Sequence, residues 1–180
     1  MTAYSTLVRS THVLTNAAWF GGSLAGAVAL DGASRADDEA CGGLATAEAA
    51  RRRWGPAQGL AIGLHLLSGV AVVVDNRRRV VAHRPTAVAV VLKTALTGVA
   101  LAVSAESYRS DAELSDALER PASDPAARQA ARTLGQRMAW LRWATPVTTA
   151  GLLVLDAYLG EQQRGVPGLL DRPSRPGQPA

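Results

Sequence analysis

The sequence predicts an all-α integral membrane protein, a four-helix transmembrane bundle whose third and fourth helices extend beyond the bilayer. Three observations predict it. Four stretches, 10–30, 54–74, 86–105 and 143–160, contain no Arg, Asp or Glu except Asp156, and Lys93 is their only other formal charge. A helix rising 1.5 Å per residue needs about 20 apolar residues to cross roughly 30 Å of hydrocarbon, which matches the length of these stretches. Water-soluble helices normally show a charged face at every turn, and these do not. The chain of 180 residues is 48% hydrophobic and 19% charged, so its overall balance looks soluble until the charges are located. A single cysteine, Cys41, excludes a disulfide-stapled domain and a zinc module.

The first stretch could be read as a cleaved signal peptide with a small-residue site at Ala27-Val28-Ala29. His12 and Asn16 are out of place in such a segment, which favours a retained span. Gly22 and Gly26 in this span, and Gly55, Gly59 and Gly63 in the second, repeat at intervals of four. Small residues at that spacing let membrane helices approach closely, so the first and second helices should be neighbours packed through these stripes. Trp54, Trp140 and Trp143 fall where their spans enter the interface, the position an indole favours.

The third helix should run past Glu106 until Pro121, and Asp124 followed by Pro125 has the form of a helix cap and first turn. The last helix therefore starts well outside the membrane, and a helical hairpin projects from it. The membrane domain is assigned to residues 1–164. Residues 165–180, with four prolines, read as a disordered tail.

Four crossings put both termini and the short middle loop on one side. The run Arg77-Arg78-Arg79 lies in that loop, where the positive-inside bias is most reliable, so both termini are assigned to the cytoplasm of a multi-pass cell-membrane protein. Arg51-Arg52-Arg53 on the other side pulls against this. The pI near 10 comes from arginines flanking the spans and points to anionic lipid as partner, not to nucleic acid.

Polar groups in hydrocarbon are costly, so they tend to face the bundle interior and to carry function. Each span has a polar stripe at helical spacing. The first carries His12, Asn16, Trp19 and Ser23; the second Gln58, His65 and Gly69; the third Lys93, Thr97 and Ser104; the fourth Thr145, Thr149 and Asp156. Counting from the cytoplasmic end at 1.5 Å per step puts His12 roughly 3 Å deep, Asp156 about 6 Å, Asn16 about 9 Å, Lys93 about 10 Å, and Trp19 and His65 about 13 Å. The titratable groups thus share one half of the bilayer. Lys93 is the only lysine among nineteen basic residues. An ammonium group withdrawn from water is costly unless a partner holds its charge, so Lys93 either pairs or gives up its proton. Asp156 and the two imidazoles are its available partners.

These residues predict a cytoplasmic-side polar cavity lined by His12, Asn16, His65, Lys93 and Asp156. The first functional reading is a membrane-embedded oxidoreductase acting on a lipophilic molecule, with His12 or His65 as ligand of a haem b or metal ion, or as acid and base. Lys93, His65, Asp156 and Asn16 would be its catalytic set. The roughly 10 Å difference in estimated depth argues against both histidines binding one iron. The alternatives are a proton- or ion-coupled transporter, for which four spans would favour a homodimer, and an accessory subunit. No P-loop, GxSxG, CxxC, H-E-x-x-H or Rossmann signature occurs, which leaves hydrolase, kinase and nucleotide-dependent readings without support.

The run from His12 through Ala17-Ala18-Trp19-Phe20-Gly21-Gly22 resembles the His-x6-Trp-x-x-Gly signature of small helical membrane proteins of the HemJ-type protoporphyrinogen oxidase and CopD-type kinds. Leu92-Lys93 is similar to a lysine that the oxidases carry in a later span. The resemblance covers about eleven residues and one lysine. It implies a haem held by His12 near Trp19, with Lys93 assisting a propionate or the substrate.

Overall fold

The computed structural model describes residues 3–30, 42–82, 84–121 and 123–164. The assignment of a disordered tail to 165–180 lies outside them. Among the described residues the chain is helical throughout, with no strand. Helix α1 is Ala3–Ala25 and passes into a wider π-type turn, Gly26–Leu30, after Gly21 and Gly22 have weakened the α-helical preference. Helix α2 is Gly42–Asp75, α3 is Arg77–Ala82, α4 is Arg84–Glu119 and α5 is Pro125–Arg164.

Asn76 makes the joint between α2 and α3. Its amide side chain and its backbone N–H both donate to the Val72 carbonyl, at 2.7 and 3.1 Å, and its own carbonyl accepts from the Val80 N–H at 3.1 Å. Its Oδ1 also accepts from Arg9 Nη2 at 3.0 Å, which fastens this corner to the start of α1. At the other end, Asp124 caps α5 as its sequence predicts: Oδ1 accepts from the Ala126 N–H at 2.9 Å, and the backbone carbonyl accepts from the Arg128 N–H at 3.2 Å.

The four long helices lie side by side. Helix α1 packs between α2 and α5, and α5 packs along α4, while α2 and α4 scarcely touch. The tie between those two is polar and lies at one end. Arg51 of α2 pairs with Asp111 of α4 at 2.8 Å, and Arg52 bonds Ser115. Arg137 of α5 meets Glu106 of α4 at 2.5 Å in the same region.

Two of the helices, over Ala49–Asp75 and Arg84–Ala117, are long and apolar enough to cross a membrane. Their most apolar windows are only 17% and 11% buried. Of the other two long helices, α1 carries Arg9, Ser10, Thr11 and His12 in its first half, and α5 begins with a charged half containing Arg128, Arg132, Arg137 and Arg142.

Helices α1 and α2 are neighbours, as the glycine pattern predicts, but the stripe is not what joins them. A Cβ on Gly59 or Gly63 would meet nothing within 4 Å, and one on Gly55 would meet only Tyr108, at 3.6 Å. The close approaches are at Gly22, where a Cβ would lie 2.3 Å from Trp54 Nε1, and at Gly69, where it would lie 3.1 Å from His12 Cε1. Side chains seated on single glycines therefore set the α1–α2 distance, and the Gly59–Gly63 face points outward.

Candidate functional site

The interior is built mostly from small and polar residues. Asn16, His65, Thr149 and Ser110 are among the largest fully buried side chains, and the buried hydrophobic residues are mainly alanines around Trp19, Leu114 and Leu152. The large aliphatic residues face out, with Leu14, Leu67, Val91 and Val147 exposed to 68%, 71%, 66% and 66%, one on each long helix.

Spacing of four and three along α1 puts His12, Asn16 and Trp19 on one inward face, and all three are buried. Helix α2 brings His65 and Ser68 against them, α4 brings Lys93 and Ser104, and α5 brings Asp156. The six residues singled out from sequence thus meet in one cluster.

The two imidazoles stack with ring centroids 4.0 Å apart and an interplanar angle of 14°. Each bonds the other's backbone. His12 Nδ1 lies 3.0 Å from the His65 carbonyl, and His65 Nδ1 lies 3.2 Å from the His12 carbonyl. A carbonyl can only accept, so both rings carry their proton on Nδ1. Ser68 adds an oxygen 3.1 Å from His12 Nδ1 while its own hydroxyl donates to the Leu64 carbonyl at 2.6 Å. The lone pair on His12 Nε2 then accepts from Lys93 Nζ at 2.7 Å.

Lys93 Nζ also bonds Asp156 Oδ1 in a close ion pair, both side chains being 14% exposed. The second carboxylate oxygen of Asp156 accepts from Asn16 Nδ2 at 3.1 Å. Asn16 Oδ1 is buried with no hydrogen-bond partner among the described residues. His12 Nε2 and Asp156 Oδ1 are 3.9 Å apart.

The chemical capacity of this arrangement is proton exchange. The hydrogen bond from Lys93 to His12 Nε2 is a direct line along which one proton passes between amine and imidazole, and Asp156 balances the charge in either position.

The estimated depths of His12 and His65, about 10 Å apart, do not hold. The rings are level because α1 begins at Ala3, well before residue 10, so counting from residue 10 misplaced the helix along its axis. Nor do the two histidines form a haem sandwich. Metal–nitrogen bonds of about 2 Å on either side of an iron would separate the ring centroids by about 6 Å, and these rings are stacked face to face. His12 Nε2 is already engaged by the ammonium group of Lys93, which takes the place a cation would need. Among the described residues no three of His, Cys, Asp and Glu form a group suited to a metal ion.

A cavity of about 730 Å³ lies farther along the bundle, toward the Asp124 end, and none of His12, Asn16, His65, Lys93 and Asp156, the residues predicted to line a polar cavity, lines it. Trp19 separates cluster and cavity: its ring meets His65 edge-on at 5.9 Å and 67°, and its Nε1 donates to Ser104 Oγ at 3.2 Å. Ser104 lines the cavity, together with Gly22, Gln58, Trp54, Tyr108 and Arg142. Sequence reasoning missed Ser68, although a small polar residue three positions after His65 shares its face. It also missed the cavity, whose lining residues are spread over four helices.

Comparison with known protein families, with characterised proteins and with solved structures gives no match to this chain.

Proposed function

We propose that the protein is an integral membrane protein whose four long helices cross the bilayer, and that it is a small proton-coupled transporter. The polar interior and the outward Leu and Val of all four helices support the membrane reading, because this distribution is stable only where the surroundings are hydrocarbon. In this reading the Lys93–His12–Asp156 cluster takes and releases the proton, and the cavity holds the cargo.

One observation carries it. The Lys93–His12–Asp156 cluster and the cavity lie at different levels of the bundle and are linked by the Trp19–Ser104 hydrogen bond. A catalytic acid or base must touch its substrate. The cluster does not line this cavity, which suits a coupling site that biases the packing around the cargo. Movement of Trp19 is the step that would link them.

The test is proton flux into vesicles of total membrane lipid with an entrapped pH dye and a clamped membrane potential. Wild-type protein relaxes an imposed pH gradient, and Lys93→Ala and His12→Ala do so several-fold more slowly. Equal rates in wild type, both variants and empty vesicles remove the reading.

The oxidoreductase reading keeps one observation in its favour. His12, Trp19 and Lys93, the residues that carry the resemblance to HemJ- and CopD-type proteins, come together in one cluster. His65 Nε2 has no hydrogen-bond partner among the described residues, so it offers a lone pair to a metal if the packing around Trp19 opens. A Soret band in purified protein, lost in His65→Ala, would move the assignment to this reading.

A further inference from the structure

We propose that the cavity binds an uncharged lipophile through a carbonyl group, which Gln58, Ser104 and Thr145 receive. This names the cargo class of the transport reading above, and it rests on that reading for its role but not for its binding. The first argument is position. Lys93 and Ser104 are eleven residues apart on α4, as are Thr145 and Asp156 on α5. Eleven residues make about three turns, so each pair shares a face, and the ion pair of Lys93 with Asp156 brings Ser104 level with Thr145 about 16 Å farther along. Gln58 and Trp19 each stand seven residues from the stacked histidines, and Trp19 bonds Ser104. Three helices thus deliver three uncharged polar side chains to the end of the cavity nearest Trp19, and all three line it.

The second argument is hydrogen bonding. Thr148 and Thr149 turn their hydroxyls back onto the carbonyls of Ala144 and Thr145, both at 2.8 Å. The Thr145 hydroxyl makes no hydrogen bond among the described residues, although the residue is only 5% exposed. Ser104, 3% exposed, accepts from Trp19 Nε1 at 3.2 Å, and its own O–H donates to no group among the described residues. The Gln58 amide likewise has no partner among them. Buried polar groups are nearly always satisfied, so hydrogen-bonding capacity left open beside a cavity is capacity for a ligand. Two hydroxyl donors and an amide N–H call for an acceptor, and a carbonyl oxygen with two lone pairs takes two of them at once.

Charge and size define the rest of the ligand. Arg51 pairs with Asp111 at 2.8 Å and Arg52 with Glu119 at 3.8 Å, while Arg142 Nε donates to the Met138 carbonyl at 3.2 Å. The charged groups of the lining are therefore engaged by the protein itself, and those left open are uncharged. The remaining wall is apolar or small, with Gly22, Trp54, Met138 and Leu141 among its residues. At about 30 Å³ for each water-sized group, a volume of about 730 Å³ holds about two dozen non-hydrogen atoms. That is one long-chain amide, ester or ketone.

The measurement uses the full chain in detergent with Trp140→Phe and Trp143→Phe, which leaves Trp54 as the cavity reporter beside the buried Trp19. Dibrominated stearamide, dibrominated stearate and dibrominated octadecane are titrated as quenchers at a pH where the acid is ionised. The amide should quench saturably and bind several-fold more tightly than the anion or the hydrocarbon, since a site with open donors rejects an analogue that cannot accept from them. Thr145→Val keeps the shape of the side chain and removes its hydroxyl, and should weaken the amide several-fold while leaving octadecane as in wild type. Gln58→Leu, on a half-buried position, should do the same even if Thr145→Val fails to fold. Equal affinity for amide and hydrocarbon, tighter binding of the anion, or unchanged amide affinity in both variants overturns the proposal. Amide binding without proton flux retains the site and removes its transport role; flux without amide binding removes the site and retains the transport reading.

Discussion

Lys93 Nζ lies 2.7 Å from Nε2 of His12 and at the same time closes an ion pair with Asp156, so one side chain joins α4 to α1 and α5. A buried pair of this kind is stabilising only while both members are present, because removing one leaves the other charged and desolvated. That asymmetry makes the cluster open to test by substitution.

Lys93→Met should lower stability by about 3–5 kcal/mol, the usual cost of orphaning a buried charge. Lys93→Met combined with Asp156→Leu should recover most of the loss while leaving proton flux absent. Denaturant unfolding in detergent measures the first effect and vesicle flux the second. A double variant no more stable than the single one would show that Asp156 is not held by Lys93.

Ser104→Ala should cost about 1–3 kcal/mol, since the buried indole N–H of Trp19 loses its acceptor. Trp19→Phe together with Ser104→Ala removes both partners and should cost less than the sum of the two single changes. The same double-mutant cycle read by proton flux tests whether this bond couples the cluster to the cavity; additive effects on flux would deny the coupling.

Gly22→Ala and Gly59→Ala separate a glycine that seats a side chain from one that does not. The first places a methyl group 2.3 Å from Trp54 and should cost about 1–3 kcal/mol, with a shift in tryptophan emission. The second meets nothing within 4 Å and should leave stability and emission unchanged.

If four helices cross the bilayer, Val81→Cys and Ala126→Cys, introduced with Cys41→Ser, lie on opposite sides of it. An impermeant maleimide applied to sealed cells should label one and spare the other. Labelling of both from one side would reduce the number of crossings.

The chain makes its polar cluster legible because each member breaks an apolar run, and helical spacing alone puts His12, Asn16 and Trp19 on one face. Lys93 and Asp156 stand out for the same reason. Two things were not legible. Axial register depends on where each helix begins, and a span boundary taken at residue 10 hides the turns from Ala3 onward, which put His12 level with His65. The role of each glycine depends on which side chain faces it across the gap, and nothing local to Gly22 or Gly69 announces Trp54 or His12. The cavity escaped for a related reason, since its lining comes from four helices and only their packing shows which of those residues face one another.

The packing order, α2 on α1 and α4 on α5 with little between α2 and α4, divides the chain into two consecutive hairpins. Each can close on its own neighbour first, because its partners are adjacent in sequence. His12 and His65 then meet within the first hairpin, and Lys93 and Asp156 within the second. The lysine-to-imidazole bond waits for the halves to dock, as do the Asn16–Asp156, Trp19–Ser104 and Arg51–Asp111 contacts, so two polypeptides severed between α3 and α4 and made in the same cell should reassemble a working protein, while neither half would move protons by itself.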